Sequence, residues 1–278
     1  MAKPIRLTPS LRPKVWGKKL LAPWFPDSDP DSDPDSDQKI GEAWYLLPVR
    51  QTPGDRELPL LVKLIFTSER LSVQVHPDDG EDGPRGKTEM WHILDAEPGA
   101  TIAIGFREPI SRERLLESTR TGEVEALLSW MPVKPGETYF VKAHTVHAIG
   151  GGIVLCEIQQ NSDVTYRLWD YGRPRELHVE KAVPVADLSV HPGAVRPVPL
   201  GRGREELVRC QHFVTELVRL KPGESFIPGP QECHLWICLE GRGAIGEEAF
   251  QSGDVWLMPD PVAITAESSA RFLRTWVP

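Results

Sequence analysis

Two stretches of the chain read alike: PGETYFVKAHTVHAI (Pro135–Ile149) and SGDVWLMPDPVAIT (Ser252–Thr265). Each passes from a glycine to an acidic residue, runs on as an alternating apolar strand, and ends near a turn. Gly136 falls on Gly253, Glu137 on Asp254, Tyr139 on Trp256, and His147 on Ile264. Alternation with a period of two marks a half-buried β-strand. A strand unit met twice predicts a duplicated barrel. The histidine is present in one copy only, so the first barrel is expected to carry the chemistry and the second to be structural.

Outward from this repeat the chain continues as short strands. LPLLVKLIFTS (Leu58–Ser68), RLSVQVHP (Arg70–Pro77), MWHILDA, TIAIGF, GIVLCEIQQ and VTYRLWDY precede or follow the first copy. HFVTELVRL, HLWICLEG, GRGAIGE and ARFLRTWV surround the second. The 27 prolines and 23 glycines suit many turns between short strands. One stretch, Ser111–Trp130, reads as helical. Ser111 suits an N-cap, Leu115, Leu116, Val124, Leu127 and Leu128 recur at helix-like intervals, and Thr121-Gly122 splits the stretch into two helices. A proline-rich segment, Val183–Pro199, marks the boundary between a catalytic N-terminal barrel (1–200) and a C-terminal barrel (201–278) without a metal site. The repeat PDSDPDSDPDSDQ (Pro26–Gln38) has nothing to bury and reads as a mobile acidic loop.

Composition removes several function classes. With 32 Lys and Arg against 40 Asp and Glu the net charge is −8, and no basic stripe points to nucleic acid. No apolar run approaches the roughly 20 residues of a membrane span. The basic start MAKPIRLTPSLRPKVWGKKL lacks the apolar core of a secretory signal. Cys156, Cys210, Cys233 and Cys238 fit neither a zinc ribbon nor a redox pair, and read as reduced thiols of a cytoplasmic protein.

The chemistry is expected around Gln74-Val75-His76-Pro77. In a strand, residues i and i+2 share a face, so Gln74 and His76 project together if Val73 and Val75 pack on the other side. Glu89 opens a later strand and His147 follows the repeat strand. A barrel brings such distant positions around one lumen. Gln74, His76, Glu89 and His147 together offer two nitrogens and two oxygens, a set suited to zinc or a related divalent ion.

Several motifs, in order, carry a resemblance: PKVWGKKL with IGEAWYL near the start, then SVQVHPDD, GKTEMWHIL and TVHAIGGGIVLCEIQQNSDVTYRLWDYGR. From about Leu11 to Lys181 the chain resembles type I phosphomannose isomerases (mannose-6-phosphate isomerases) of the short bacterial form, with a weaker fit beyond. The resemblance implies an all-β protein of two cupin-type β-barrels, or jelly rolls, with a small helical insertion. It implies one zinc ion held by Gln74, His76, Glu89 and His147. It also implies reversible conversion of mannose 6-phosphate to fructose 6-phosphate through a cis-enediol.

Such a reaction needs a proton shuttle between C1 and C2, charge stabilisation on the oxygens, and cationic donors for the phosphate. Lys87 lies two residues before Glu89 and is a candidate for substrate positioning or proton transfer. Arg167 matches the family's active-site arginine and suits phosphate or enediolate binding. Glu157 alternates with Cys156 and Ile158 and so points away from them, into the barrel. Asp163 orients Arg167 or joins the acid–base work. Trp91 and His92 read as wall packing. The family commonly shows glycine in the turn before the histidine ligand, where this chain reads Ala143-His144-Thr145; His144 could crowd the turn or add an imidazole near the metal, and is expected to face solvent. Glu232, Cys233 and His234 read as structural. The rival from another class is a non-catalytic, metal-binding sugar sensor that keeps the fold and the ion. A dioxygenase or epimerase is a third reading, less suited to a set rich in Gln and Glu.

Overall fold

The computed structural model describes residues 2–25, 38–48 and 57–278. The acidic repeat, except for Gln38, lies outside the described residues. The chain builds two stacked β-sandwiches. In the first, a six-stranded sheet has the order Thr8–Lys18, Ile40–Leu46, Leu60–Phe66, Ile153–Gln160, Glu89–Ala96, Thr138–Val141. It faces a five-stranded sheet ordered Tyr166–Trp169, Val73–Val75, His147–Ile149, Thr101–Phe106, Leu128–Pro132. In the second, a seven-stranded sheet centred on Glu232–Glu240 and Ala270–Val277 faces a four-stranded one. Ile5–Arg6 forms an edge of that seven-stranded sheet, pairing with Val255–Leu257, and Val198–Gly201 forms the other edge.

Alternation along the strands sorts side chains into separate cores. Ile65, Trp91, Ile104, Ile149 and Leu155 fill the first sandwich. Trp236, Phe250, Ile264 and Phe272 fill the second. The opposite faces of the six- and seven-stranded sheets meet in a third apolar layer, where Val62, Leu64, Cys156 and Ile158 pack against Leu217, Leu235, Ile237 and Leu273. The strand Leu60–Phe66 is therefore buried on both faces, which is why it reads as a continuous apolar run.

The helical insertion covers the outside of the five-stranded sheet. Ser111 caps helix Arg112–Thr121 by accepting the Arg114 N–H at 3.1 Å, and Gly122 ends it in the left-handed conformation. A short second helix runs Val124–Leu127. Helical structure stops there, short of Trp130, because Leu128–Pro132 pairs with Thr101–Phe106 as an edge strand. A third helix, Val179–Val185, was not anticipated. Its Pro184 suggests a breaker in the sequence, yet the helix packs on the same cluster, with Ala182 and Val183 beside Val73 and Leu168.

The duplication is visible in register. Across the first sandwich the row Trp44, Lys63, Glu157, Trp91, Tyr139 lies side by side. Across the second the matching row is Glu206, Glu216, Arg274, Trp236, Trp256. Tyr139 thus corresponds to Trp256, as the repeat implied. The turns before them also agree. Gly136 and Gly253 have φ of 91° and 89°, and the acidic residue after each accepts a backbone N–H three residues back, Lys134 to Glu137 and Gln251 to Asp254.

One difference matters for function. Lys63 and Glu157 form a buried pair at 3.1 Å in the first row, whereas Arg274 and Glu216 form one at 3.2 Å in the second, with the charges exchanged. Arg274 also donates to His234 Nε2 at 2.8 Å, and Trp236 donates to the same nitrogen at 3.0 Å. The second sandwich is closed around its own cation. Replacing Arg274 by Met leaves Glu216 buried beside only Arg204 and should destabilise the fold by about 3 kcal/mol in urea unfolding. Burial and the Arg274 charge push the His234 imidazole down to about 3. The folded chain therefore declines a proton that the unfolded chain accepts below pH 6.5, and stability falls as pH drops from there toward 3. His234→Gln should flatten that acid limb, read as the urea midpoint against pH.

Candidate metal centre and active site

The local fold delivers each ligand for a stated reason. Val73 and Val75 pack outward under the helices, so Gln74 and His76 turn inward. His147 pairs in register with Gln74, and Glu89 opens a strand beside Gln159 and Val141. His76, Glu89 and His147 are each 1% exposed or less, and their ligand atoms all lie within 4.8 Å of one another. His76 Nε2 stands 3.7 Å from Glu89 Oε2, and His147 Nε2 stands 3.5 Å from Glu89 Oε1.

The hydrogen bonds set the tautomers. His76 Nδ1 donates to the Val164 carbonyl at 2.9 Å, and His147 Nδ1 donates to the Thr145 carbonyl at 2.8 Å. A carbonyl can only accept, so both rings carry their proton on Nδ1 and present a bare lone pair on Nε2. Burial pushes the His76 imidazole well below its ordinary range and that of His147 down to about 4, so both are neutral. His76 Nε2 and both Glu89 oxygens are buried without a hydrogen-bond partner. Burial, followed by the Glu157 charge, drives the Glu89 carboxyl upward. His76 Nε2 and the Glu89 oxygens thus face one point with only the Lys87 ammonium among the described residues, 3.4 Å from Glu89 Oε2, to offset their burial, and a bound cation would satisfy them. Gln74 Nε2 now lies 3.2 Å from His147 Nε2, with Oε1 accepting from Ser72 Oγ at 3.1 Å. Turning the amide over would aim Oε1 at the same point and let Ser72 accept instead. The four side chains fit a divalent ion.

Beside this point lies a cavity of about 140 Å³. Lys87 stands at its floor, fully buried, 3.4 Å from Glu89. Burial alone would lower the Lys87 ammonium, but Glu89 and Glu157 outweigh it and leave the group raised and charged. Glu157 faces the cavity, opposite Cys156 and Ile158. It accepts from Trp91 Nε1 at 3.1 Å and pairs with Lys63. Burial opposes its charge, but Lys63 and Lys87 prevail and hold its carboxyl low. Trp91 is therefore part of the site, packing edge-on against His147 at 5.3 Å, while His92 sits on the opposite side against Thr138.

Arg167 lies in register with Gln74 and is bracketed through its backbone by His178. Its Nε is buried without a partner, and burial together with Arg175 lowers the guanidinium. Asp163 lines the rim and is exposed. No hydrogen bond or ion pair joins it to Arg167 among the described residues. The arginine that is gripped is Arg175, by two 2.6 Å hydrogen bonds to buried Asp170. His144, expected in solvent, is instead half-buried and bound to Glu81 at 2.8 Å.

Sequence reasoning missed four cavity residues: Lys63, Arg175, Lys14 and Glu42. Lys63 had a readable signal, a single charge inside the apolar run LPLLVKLIF. Lys14 and Glu42, 3.4 Å apart, had none beyond their motifs. Larger clefts of about 650 and 560 Å³ lie elsewhere and border none of the metal-facing groups.

Fold and site together define a cupin-type double barrel with a metal centre in its first barrel. The chain is 36% identical over 231 residues to the mannose-6-phosphate isomerase ManA of Bacillus subtilis, an alignment covering 75% of this chain and 71% of that one. A crystal structure of mannose 6-phosphate isomerase from Bacillus subtilis superposes with a TM-score of 0.83 at 28% identity, covering 99% of both chains. A zinc-bound mannose 6-phosphate isomerase superposes at 0.77 and 18% identity over 99% of this chain and 100% of that one, which speaks to the fold alone. No protein-family model matches. The chain belongs to the mannose-6-phosphate isomerase family.

His147→Ala and Glu89→Ala should each abolish stoichiometric zinc retention after dialysis, measured by elemental analysis. The parent protein should melt at a lower temperature after chelation and recover on zinc add-back.

Proposed function

We propose that the chain reversibly converts mannose 6-phosphate to fructose 6-phosphate, with one divalent ion, zinc by preference, held by Gln74, His76, Glu89 and His147. The observation that carries this reading is the convergence of unpartnered Nε2 and carboxylate atoms beside a buried Lys63–Glu157 pair and Lys87. When bound, the ion supplies a Lewis acid for oxygens that gain charge as the enediol forms.

The remaining work falls to the chain's own side chains. The Glu157 carboxylate, paired with Lys63 at 3.1 Å, takes the proton from C2 of the open-chain sugar and returns it to C1. The charged Lys87 ammonium donates to a sugar oxygen and stabilises negative charge there. Arg167, with a free Nε, and Arg175, with its remaining donors, hold the phosphate at the rim. Asp163 shares that rim, where it works against an anion that the two guanidinium groups must outweigh. Trp16, Ile65, Leu71 and Ile149 line the apolar side and limit water around the enediol.

A non-catalytic sensor would need the metal and the sugar pocket. It would not need Lys63, Lys87 and Glu157, each 4% exposed or less, lining one cavity beside the metal point. The catalytic unit is the N-terminal barrel, within residues 1–200. Among the described residues the metal-competent groups are His76, Glu89 and His147, and Asp78, Asp79 and His212, of which only His212 belongs to 201–278. We place the enzyme in the cytoplasm, in keeping with the free thiols of Cys156, Cys210 and Cys238.

A coupled assay of mannose 6-phosphate conversion tests the activity. Turnover should vanish on chelation and return with metal. Lys87→Ala and Glu157→Gln should each lower kcat by about 10²- to 10⁴-fold with metal still bound, while Arg167→Ala should act mainly on KM for the phosphorylated sugar. A metal-loaded protein with no turnover would favour the sensor.

A further inference from the structure

The turn that delivers His147 contains a residue in an unfavourable conformation. His144 has φ of 71°, the left-handed region that a β-carbon disfavours and glycine adopts freely. Its backbone is engaged on both sides. The N–H donates to the carbonyl of His76 at 2.8 Å, and the carbonyl accepts from the Asp187 N–H at 2.8 Å. Its ring is engaged as well, with Nε2 2.8 Å from Glu81 Oε2. Glu81 also accepts the Asp78 N–H at 2.9 Å.

These contacts have a direction. Residues 78–86 form the connection between His76 on one side and Lys87 and Glu89 on the other. Glu81 lies in the middle of that connection, and His144 lies in the turn that carries His147. One side chain pair therefore joins the loop between two ligands to the turn bearing the third, while the His144 backbone holds the first ligand directly. The pair is partly exposed, 31% at His144 and 37% at Glu81, so it adds little to global stability. A glycine at this position would remove the strain and keep the backbone bonds. The histidine is explained by what its ring does.

We propose that His144 and Glu81 form a clasp that sets the spacing of His76, Glu89 and His147, making both positioning residues for the metal centre. This rests on the reading of that centre as a zinc site. Groups around a metal that orient its ligands are worth about 10- to 100-fold in metal affinity when lost. The clasp therefore predicts that affinity and stability move apart.

The experiment measures zinc affinity by competition with a chromophoric chelator, and metal-free melting temperature, for the full chain and for His144→Gly, Glu81→Gln and the double variant. His144→Gly should melt at or above the parent without metal, since strain is relieved, yet bind zinc about 10-fold more weakly. Glu81→Gln should weaken zinc by a similar factor, and the double variant should be no weaker than either single one. Unchanged zinc affinity in His144→Gly, or losses that multiply in the double variant, would overturn the clasp. A parent protein that binds no zinc at all would overturn the metal site, and the clasp with it.

Discussion

Three acceptor groups, two imidazole lone pairs and a carboxylate, face one another in a buried space, with Lys87 as the one cation beside them among the described residues. Burying a carboxylate alone costs several kcal/mol, and Lys87 together with a bound ion would offset that cost. Much of the first barrel follows from it. The outer ring nitrogens are tied to the carbonyls of Thr145 and Val164, which aims the inner ones. Lys87 lies against Glu89 and Glu157 lies against Lys63, so every further buried charge near the centre has a partner of opposite sign.

The second barrel solves the same problem with its own atoms. The row that holds Lys63, Glu157 and Trp91 in the first sandwich holds Glu216, Arg274 and Trp236 in the second. The residue two places before each tryptophan is Glu89 in one and His234 in the other. A guanidinium that cannot leave replaces an ion that can. Arg274 fills the space against Glu216 and His234, while the seven-stranded sheet supplies the apolar surface on which the six-stranded sheet rests. That support matters to the site, because Cys156 and Ile158 anchor one face of the strand whose other face presents Glu157.

Charge is arranged by depth. The carboxylate and lysine chemistry sits at the floor, where burial and opposite charges set the ionisation. The arginines sit at the rim, with one fork committed to Asp170 and one Nε left free. A substrate with an anionic end and a neutral, oxygen-rich reacting end matches that gradient, whereas an anion at both ends would meet Glu89 and Glu157.

The amino-acid sequence by itself determined the strand pattern, the capped helix at Ser111, the duplicated turn, and the inward face shared by Gln74 and His76. Each rests on local periodicity or on residues adjacent in the chain, where stereochemistry alone dictates direction. Glu157 was legible for the same reason, as a carboxylate alternating with apolar neighbours. Lys63, Arg175, Lys14 and Glu42 were not assigned, nor was the helix around Pro184. The place of His144 was misjudged. These depend on which strands become neighbours, and strand pairing across long stretches of chain is decided by how two sheets bury their apolar faces against each other. Only that packing set Lys63 beside Glu157, closed Arg274 over Glu216, and brought Glu81 within reach of the turn that carries His147.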